Sequence, residues 1–199
     1  MSGRSVVLVH GIADRRTAFD KLEARLRAAG HDVRTIDPRS RLGRERLESL
    51  AQRLKEFVDV RFGQHARISL IGFSMGGIVS RYYLQRLGGL QRAERLITIS
   101  SPHNGTRTAR LLPFAGARQL RPGSDFLTDL NADRAVLEPL GLLSFWTPYD
   151  LMISPPRSSV LDIGQSCEVP VALHALMTRD ARVLDRIVRE LSQPEGGSL

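Results

Sequence analysis

Residues 69 to 77 read Ser69-Leu70-Ile71-Gly72-Phe73-Ser74-Met75-Gly76-Gly77, and the rest of the chain is arranged around them. An apolar run at 68–71 leads into Gly72-Phe73-Ser74-Met75-Gly76. Apolar residues then recur at helical spacing, at Ile78, Val79, Tyr83, Leu84 and Leu87. A strand, a sharp turn and a helix therefore meet at one serine. That context is what a G-x-S-x-G nucleophile elbow requires, and the bare pattern without it is weak. Such a turn forces strained backbone on Ser74. Gly72 and Gly76 leave space where side chains would collide, and Gly77 lets the helix start close to the strand. The geometry points Ser74 Oγ over the sheet edge. Behind it the helix start offers free N–H groups and the positive end of a dipole, where an oxyanion can form.

The bulk of the chain suits that reading. Its 199 residues are enough for one domain with a substantial core, and the expectation is a single domain over 1–199. A hydrophobic fraction of 42% and a charged fraction of 25% are ordinary for a water-soluble fold. The net charge of +8 comes almost entirely from arginine, because Lys21 and Lys55 are the only lysines. These arginines alternate with acids, as in Arg44-Glu45-Arg46-Leu47-Glu48, which is the pattern of a solvated helix face rather than a nucleic-acid track. The densest cluster, Arg39, Arg41, Arg44 and Arg46, is the one candidate anion site. With Cys167 as the sole cysteine, no internal disulfide can form. No stretch has the apolar length of a membrane span. A strand follows Met-Ser-Gly-Arg-Ser at once, leaving no room for a secretory apolar segment, so a cytoplasmic location is expected.

In order, the chain alternates strands and helices. Residues 5–9 form a short apolar run, the mark of a strand buried on both faces of a parallel sheet, and end in His10-Gly11-Ile12. A helix is expected at 17–29, stopped by Gly30, then a strand at 32–36 ended by Asp37-Pro38, and a helix at 45–60. After the elbow comes a strand at 94–99, opening into Ser100-Ser101-Pro102-His103-Asn104-Gly105-Thr106. Residues 107–142 break the rhythm and read as short helices over the carboxyl edge of the sheet, a small cap. Their leucines suit an acyl pocket and a core equally well. A strand at 143–146 leads to Tyr149-Asp150, residues 159–163 read as a short strand or a loop, and 173–176 as a loop. A helix at 179–191 closes the fold, and 193–199 reads as a frayed tail. Alternation at this spacing means βαβ units and a parallel sheet.

A serine hydroxyl needs a base, and the base needs a carboxylate to fix its tautomer. Behind an elbow of this kind the partners follow the serine in the order acid, then histidine. That order excludes His10, His31 and His65 and leaves His103 and His174. Only Glu94 lies between Ser74 and His103, at the start of a strand and so at the wrong edge of the sheet. For His174 the best-placed acid is Asp150, just after a strand; Asp162 is the runner-up, without a clear strand before it. The oxyanion needs two donors. One is the Met75 N–H, and the other the Ile12 N–H, brought close because Gly11 lets its loop pass near the serine. Ile12, Met75 and Phe73 are expected to give the site an apolar lining.

On these residues the chain resembles an α/β-hydrolase of the bacterial lipase and esterase group. The stretch Val6-Val7-Leu8-Val9-His10-Gly11-Ile12 resembles the first core strand and oxyanion loop, and Gly72-Phe73-Ser74-Met75-Gly76-Gly77 the elbow, where histidine is commoner than Phe73. Ser101-Pro102-His103-Asn104-Gly105-Thr106 is similar to a post-strand segment whose histidine is structural, so the resemblance argues against His103 as the base. Tyr149-Asp150 and His174-Ala175-Leu176 fit the acid and base positions. The resemblance implies a minimal α/β fold of about six mostly parallel strands, flanked by helices on both faces, with a small or absent lid. It implies no calcium site, because Leu176 stands where larger members carry an aspartate.

The expected activity is hydrolysis of carboxylic esters, with Ser74, Asp150 and His174 catalytic and Ile12 and Met75 holding the oxyanion. No cofactor and no metal are expected. The expected partner is a small acyl ester or lipid, met without membrane insertion and with at most transient contact with a lipid interface; no nucleic acid is expected. A thioesterase or acyltransferase with the same triad, and a non-catalytic binding protein on the same fold, are the alternatives.

Overall fold

The computed structural model describes residues 3–11, 16–36 and 44–193. The run at 6–9 lies in strand β1 (Ser5–Val9), and its side chains go alternately to two separate cores. Val6 and Leu8 face one, Val7 and Val9 the other. The same division holds in β3 (Ile68–Phe73), where Ile71 and Phe73 oppose Ile68 and Leu70. Period-two alternation of largely apolar strands thus produces a sheet buried on both faces.

Around these two lie β2 (Asp32–Ile36), β4 (Ala93–Ile99), β5 (Leu143–Trp146) and β6 (Gln165–Glu168). All six are parallel, in the order β2-β1-β3-β4-β5-β6. The chain runs outward from β1 to β2, then returns to the other side of β1 for β3. The direction of winding therefore reverses between β1 and β3, and the carboxyl ends at such a reversal open a crevice.

Helices α1 (Asp20–Ala28) and α6 (Ala181–Ser192) cover one face, burying Leu22, Leu26, Val183, Leu184, Ile187 and Leu191. Helices α2 (Leu47–Phe62) and α3 (Met75–Arg86) cover the other, with Leu50, Leu54, Val58, Ile78, Val79 and Tyr83 in the core. Gly30, at φ +88°, ends the first helix as the sequence predicts.

The segment at 107–142 forms a 3-10 turn (Arg107–Leu111), two short helices, α4 (Ala115–Gln119) and α5 (Asp125–Ala132), and a second 3-10 turn (Arg134–Leu140). Leu120, Leu127, Leu130, Leu137 and Leu140 are buried in the same core as α2 and α3, so these leucines are core. Helix α3 holds α5 by side chains. Arg81 Nη2 and Gln85 Nε2 each donate to Leu130 O at 2.8 Å, and Arg86 pairs with Asp129 and Asp133 at 2.9 and 2.6 Å.

Three local expectations shift. The helix at 17–29 is a 3-10 turn (Arg16–Ala18) followed by α1, and the helix at 45–60 starts and ends two residues later. Residues 159–163 hold no strand; the last strand is β6, whose Gln165, Ser166, Cys167 and Glu168 lack any apolar run. An edge strand needs only a backbone partner, here β5, so its side chains carry little signal. In the arginine cluster, Arg44 lies over the Phe114 ring at 5.0 Å and Arg46 pairs with Glu48 at 2.6 Å. Arg39, Arg41, Asp37-Pro38 and the tail from residue 194 lie outside the described residues.

A close backbone approach near the elbow occurs at Gly76. A Cβ there would stand 2.1 Å from Val9 O and 2.7 Å from His10 O. Both obstacles are main chain at the carboxyl end of β1 and cannot swing aside. Gly76→Ala is expected to lower stability by about 3 kcal/mol, the upper range for overpacking. Urea midpoints of the two proteins measure it, and an unchanged midpoint would refute the close packing.

Candidate active site

Ser74 joins β3 to α3 with φ 53° and ψ −124°, a left-handed backbone that is strained for any residue with a Cβ. Two bonds hold it there: Ser74 N–H donates to Ile99 O at 2.8 Å, and Ser74 O accepts from Gly77 N–H at 3.2 Å. A Cβ on Gly72 would stand 2.4 Å from Gly77 backbone, and one on Gly77 would stand 2.1 Å from Ser101 Oγ. The glycines thus do what the sequence asks of them, and one does more: Gly77 meets the end of the next strand, β4, not the turn. Met75 is the first residue of α3, so its N–H has no intrahelical acceptor.

The acid and base positions come together at the same edge. Asp150 Oδ2 lies 2.7 Å from His174 Nδ1. Its other oxygen accepts the N–H groups of Met152 and Ile153, both at 2.9 Å. The carboxylate is thereby held at both oxygens, with its side chain 2% exposed. With Nδ1–H directed at a carboxylate, Nε2 is left as the acceptor. The Phe73 ring lies 4.8 Å from the imidazole at an interplanar angle of 35°, which sets His174 beside the residue preceding Ser74. Ser74 Oγ and the imidazole are not hydrogen bonded to each other. Asp162 stands apart from this pair, with its side chain 86% exposed and 3.7 Å from Arg134.

Other candidates have different surroundings. His103 is fully buried. Thr98 Oγ1 donates to Ser144 Oγ at 3.1 Å, so it accepts from His103 Nε2–H at 3.0 Å, and His103 is a packed, neutral ring in a polar core layer. His10, at the end of β1, rests on the Phe19 ring at 4.8 Å. Ile12 lies outside the described residues. The side chain of Met75 belongs to the core under α2 and α3, and that of Phe73 to the opposite core, so Met75 does not line the site as expected. Among the described residues, no group of three His, Cys, Asp or Glu side chains is placed to hold a metal ion.

Two residues escaped the sequence reading. Thr147 Oγ1 donates to Val171 O at 2.7 Å and accepts from Val171 N–H at 3.1 Å, tying the acid loop to the base loop. Phe19 meets Phe73 edge-on at 6.5 Å and completes a row of rings from His10 to His174. A threonine beginning the turn Thr147-Pro148-Tyr149-Asp150 was the only available signal for the first.

Burial, with Arg81 nearby, holds His103 well below the usual histidine range, and burial with Arg4 lowers His31. A depressed histidine contributes stability that is complete above the unfolded value of about 6.5 and is lost as pH falls, because only the unfolded chain takes up the proton. The paired carboxylates of Asp133 and Asp180 are lowered too, and their contribution disappears only at more acid pH, below about 4. His103→Gln is expected to remove about 1.4 kcal/mol of the stability difference between about pH 7.5 and about pH 5.5. Urea midpoints at the two pH values measure this, and an identical pH dependence in the variant would refute it.

Known proteins place this fold. No curated protein matches the chain significantly in sequence. Among solved structures, the mature lipase of Bacillus licheniformis superposes with a TM-score of 0.75 at 16% identity, over 96% of this chain and 93% of that one. Lipase B of Aspergillus fumigatus gives 0.81 at 14% identity, over 98% of this chain but 54% of its own length. The monoacylglycerol lipase of Paleococcus ferrophilus gives 0.68 at 18% identity, over 96% of each chain. At such identities the likeness is one of fold, the α/β-hydrolase fold in a minimal form. The family profile described as palmitoyl protein thioesterase matches residues 5–133, which take in β1, the elbow and the His103 segment, and the chain belongs to that family.

Proposed function

We propose that the protein is a serine hydrolase of carboxylic esters with an apolar acyl group. Ser74 is the nucleophile, His174 the base and then the acid, and Asp150 orients and stabilises the imidazolium. The observation that carries the proposal is the Asp150–His174 bond of 2.7 Å at the sheet edge where Ser74 holds its left-handed turn. Substrate binding brings Ser74 Oγ within reach of Nε2, since catalytic hydrogen bonds tighten in the Michaelis complex. The hydroxyl then attacks the acyl carbonyl as its proton passes to Nε2. The oxyanion is held by the N–H of Met75 and, in this reading, of Ile12. His174 returns the proton to the leaving alcohol, and water repeats the sequence on the acyl-enzyme, so no cofactor enters.

A second reading has a specific observation behind it. The palmitoyl protein thioesterase profile favours a long-chain thioester, which the same residues would cleave with a thiol as leaving group. Both readings place an apolar acyl group on Ser74.

Turnover of p-nitrophenyl esters from acetate to palmitate, alongside a palmitoyl thioester, separates them. Ester turnover is expected to fall at least about 10⁴-fold in Ser74→Ala and about 10⁴-fold in Asp150→Asn. Activity confined to the thioester would move the second reading forward. No turnover of either class by the folded wild type would sink both and favour a binding protein.

Phe73 is expected to act as a positioning residue through its ring contact with His174. Phe73→Leu keeps an apolar side chain but loses the flat face. A fall of about tenfold in kcat with KM retained is expected, with recovery in Phe73→Tyr. An unchanged kcat in a folded Leu variant would show that Asp150 alone orients the imidazole.

A further inference from the structure

We propose that a surface beside the site, formed by the 3-10 turn and α4 on one side and the loop after Asp150 on the other, docks the protein on an anionic phospholipid surface. Docking there would bring acyl chains to Ser74, and its purpose rests on the acyl-hydrolase reading.

Three large apolar side chains stand in solvent on this surface. Leu111 is 82% exposed, Leu151 78% and Met152 59%. Four hydrogen bonds make the two loops one piece. Arg107 N–H donates to Ser154 O at 2.8 Å, and Ser154 N–H to Thr106 Oγ1 at 2.8 Å. Thr106 and Thr108 hydroxyls donate to Met152 O at 3.0 and 2.6 Å. Leu151 and Met152 directly follow Asp150, so whatever they touch lies at the mouth of the site.

The charge around them is one-sided. Residues 101–124 contain Arg107, Arg110, Arg118 and Arg121 and no aspartate or glutamate. Arg121 turns inward to Leu112 O at 3.3 Å. Arg107, Arg110 and Arg118 are exposed and form no ion pair with a described carboxylate. Of the acids that follow, Asp129 and Asp133 pair with Arg86 and Asp162 with Arg134, while Asp125 and Glu138 stand exposed. Arginine without a partner among the described carboxylates, beside exposed leucine and methionine, fits a surface of phosphate groups over acyl chains: the guanidinium grips phosphate in a fork, and the apolar tips enter below. A second copy of the chain is a poor occupant, because two-fold pairing would set these arginines against their own images.

The test uses Ser74→Ala, so that hydrolysis does not alter the lipid, and sedimentation with vesicles. Binding is expected on phosphatidylcholine vesicles containing about one-third phosphatidylglycerol, at least about tenfold tighter than on phosphatidylcholine alone, and weaker in about 0.5 M NaCl. Adding Arg107→Gln, Arg110→Gln and Arg118→Gln together is expected to weaken it by about a hundredfold, near fivefold for each arginine. The same three changes with Ser74 intact are expected to leave turnover of soluble p-nitrophenyl butyrate at the wild-type level. Equal binding to both vesicles, no binding to either, or full binding by the arginine variant would overturn the proposal. The soluble-ester assay reports on the hydrolase reading separately: vesicle binding without turnover sinks that reading and keeps the docking surface.

Discussion

Everything at the carboxyl edge depends on how closely the first turn of α3 approaches the end of β1. Gly76 lies against the carbonyls of Val9 and His10, with no room for a single extra carbon. That contact sets the depth of the helix and forces Ser74 into a backbone conformation that a residue with a Cβ adopts at a cost of about 1–2 kcal/mol. The strain persists because the surroundings over-determine it. The serine N–H is tied to β4, and the helix behind it is packed into the core with Ile78, Val79 and Tyr83. The same approach brings together the two loops that border the reversal point of the sheet, so Ser74 and the start of the loop after β1 are neighbours by construction.

The other half of the site hangs on hydrogen bonds rather than on packing. Asp150 and His174 are far apart in sequence, and neither loop has regular structure of any length. Their separation is held by the two backbone N–H groups on Asp150 Oδ1 and by Thr147, which bonds both main-chain groups of Val171. Phe73 then closes the gap to the elbow. Beyond them, α5 is clamped to the elbow helix through Arg81, Gln85 and Arg86. Arg81 is so completely buried that desolvation pulls it down to about 10, yet its Nη2 still donates to Leu130 O. A segment held in this way is a fixed wall, not a moving lid.

Much of this could be read from residues alone, for physical reasons. The run at 6–9 is apolar throughout, and that at 68–71 apolar but for Ser69, because both faces of their strands are covered. The elbow could be read because its glycines answer backbone collisions that depend on local geometry. Asp150 could be preferred over Asp162 because a strand end faces the site, and Asp162 proves to be a solvent-exposed partner of Arg134. What stayed hidden depends on distant partners. Whether the leucines at 120–140 fill a core or line a pocket depends on where α3 lies, and whether Met75 faces the site depends on which core its helix turn enters. The contact between Phe73 and His174 joins residues on different elements and leaves no trace in spacing.

The strand that escaped detection has a consequence for the molecule as a whole. β6 forms one open rim of the sheet, and its backbone could accept a foreign strand. Three of its four residues are exposed, with Gln165 and Glu168 at its ends, and Gln165 is bonded to Arg186 at 2.8 Å. A short, polar, partly bridged rim is a poor template for another chain. The lack of hydrophobic pattern that concealed β6 is thus also a safeguard: at this rim an all-parallel sheet built of very sticky strands ends on a strand that discourages unwanted growth.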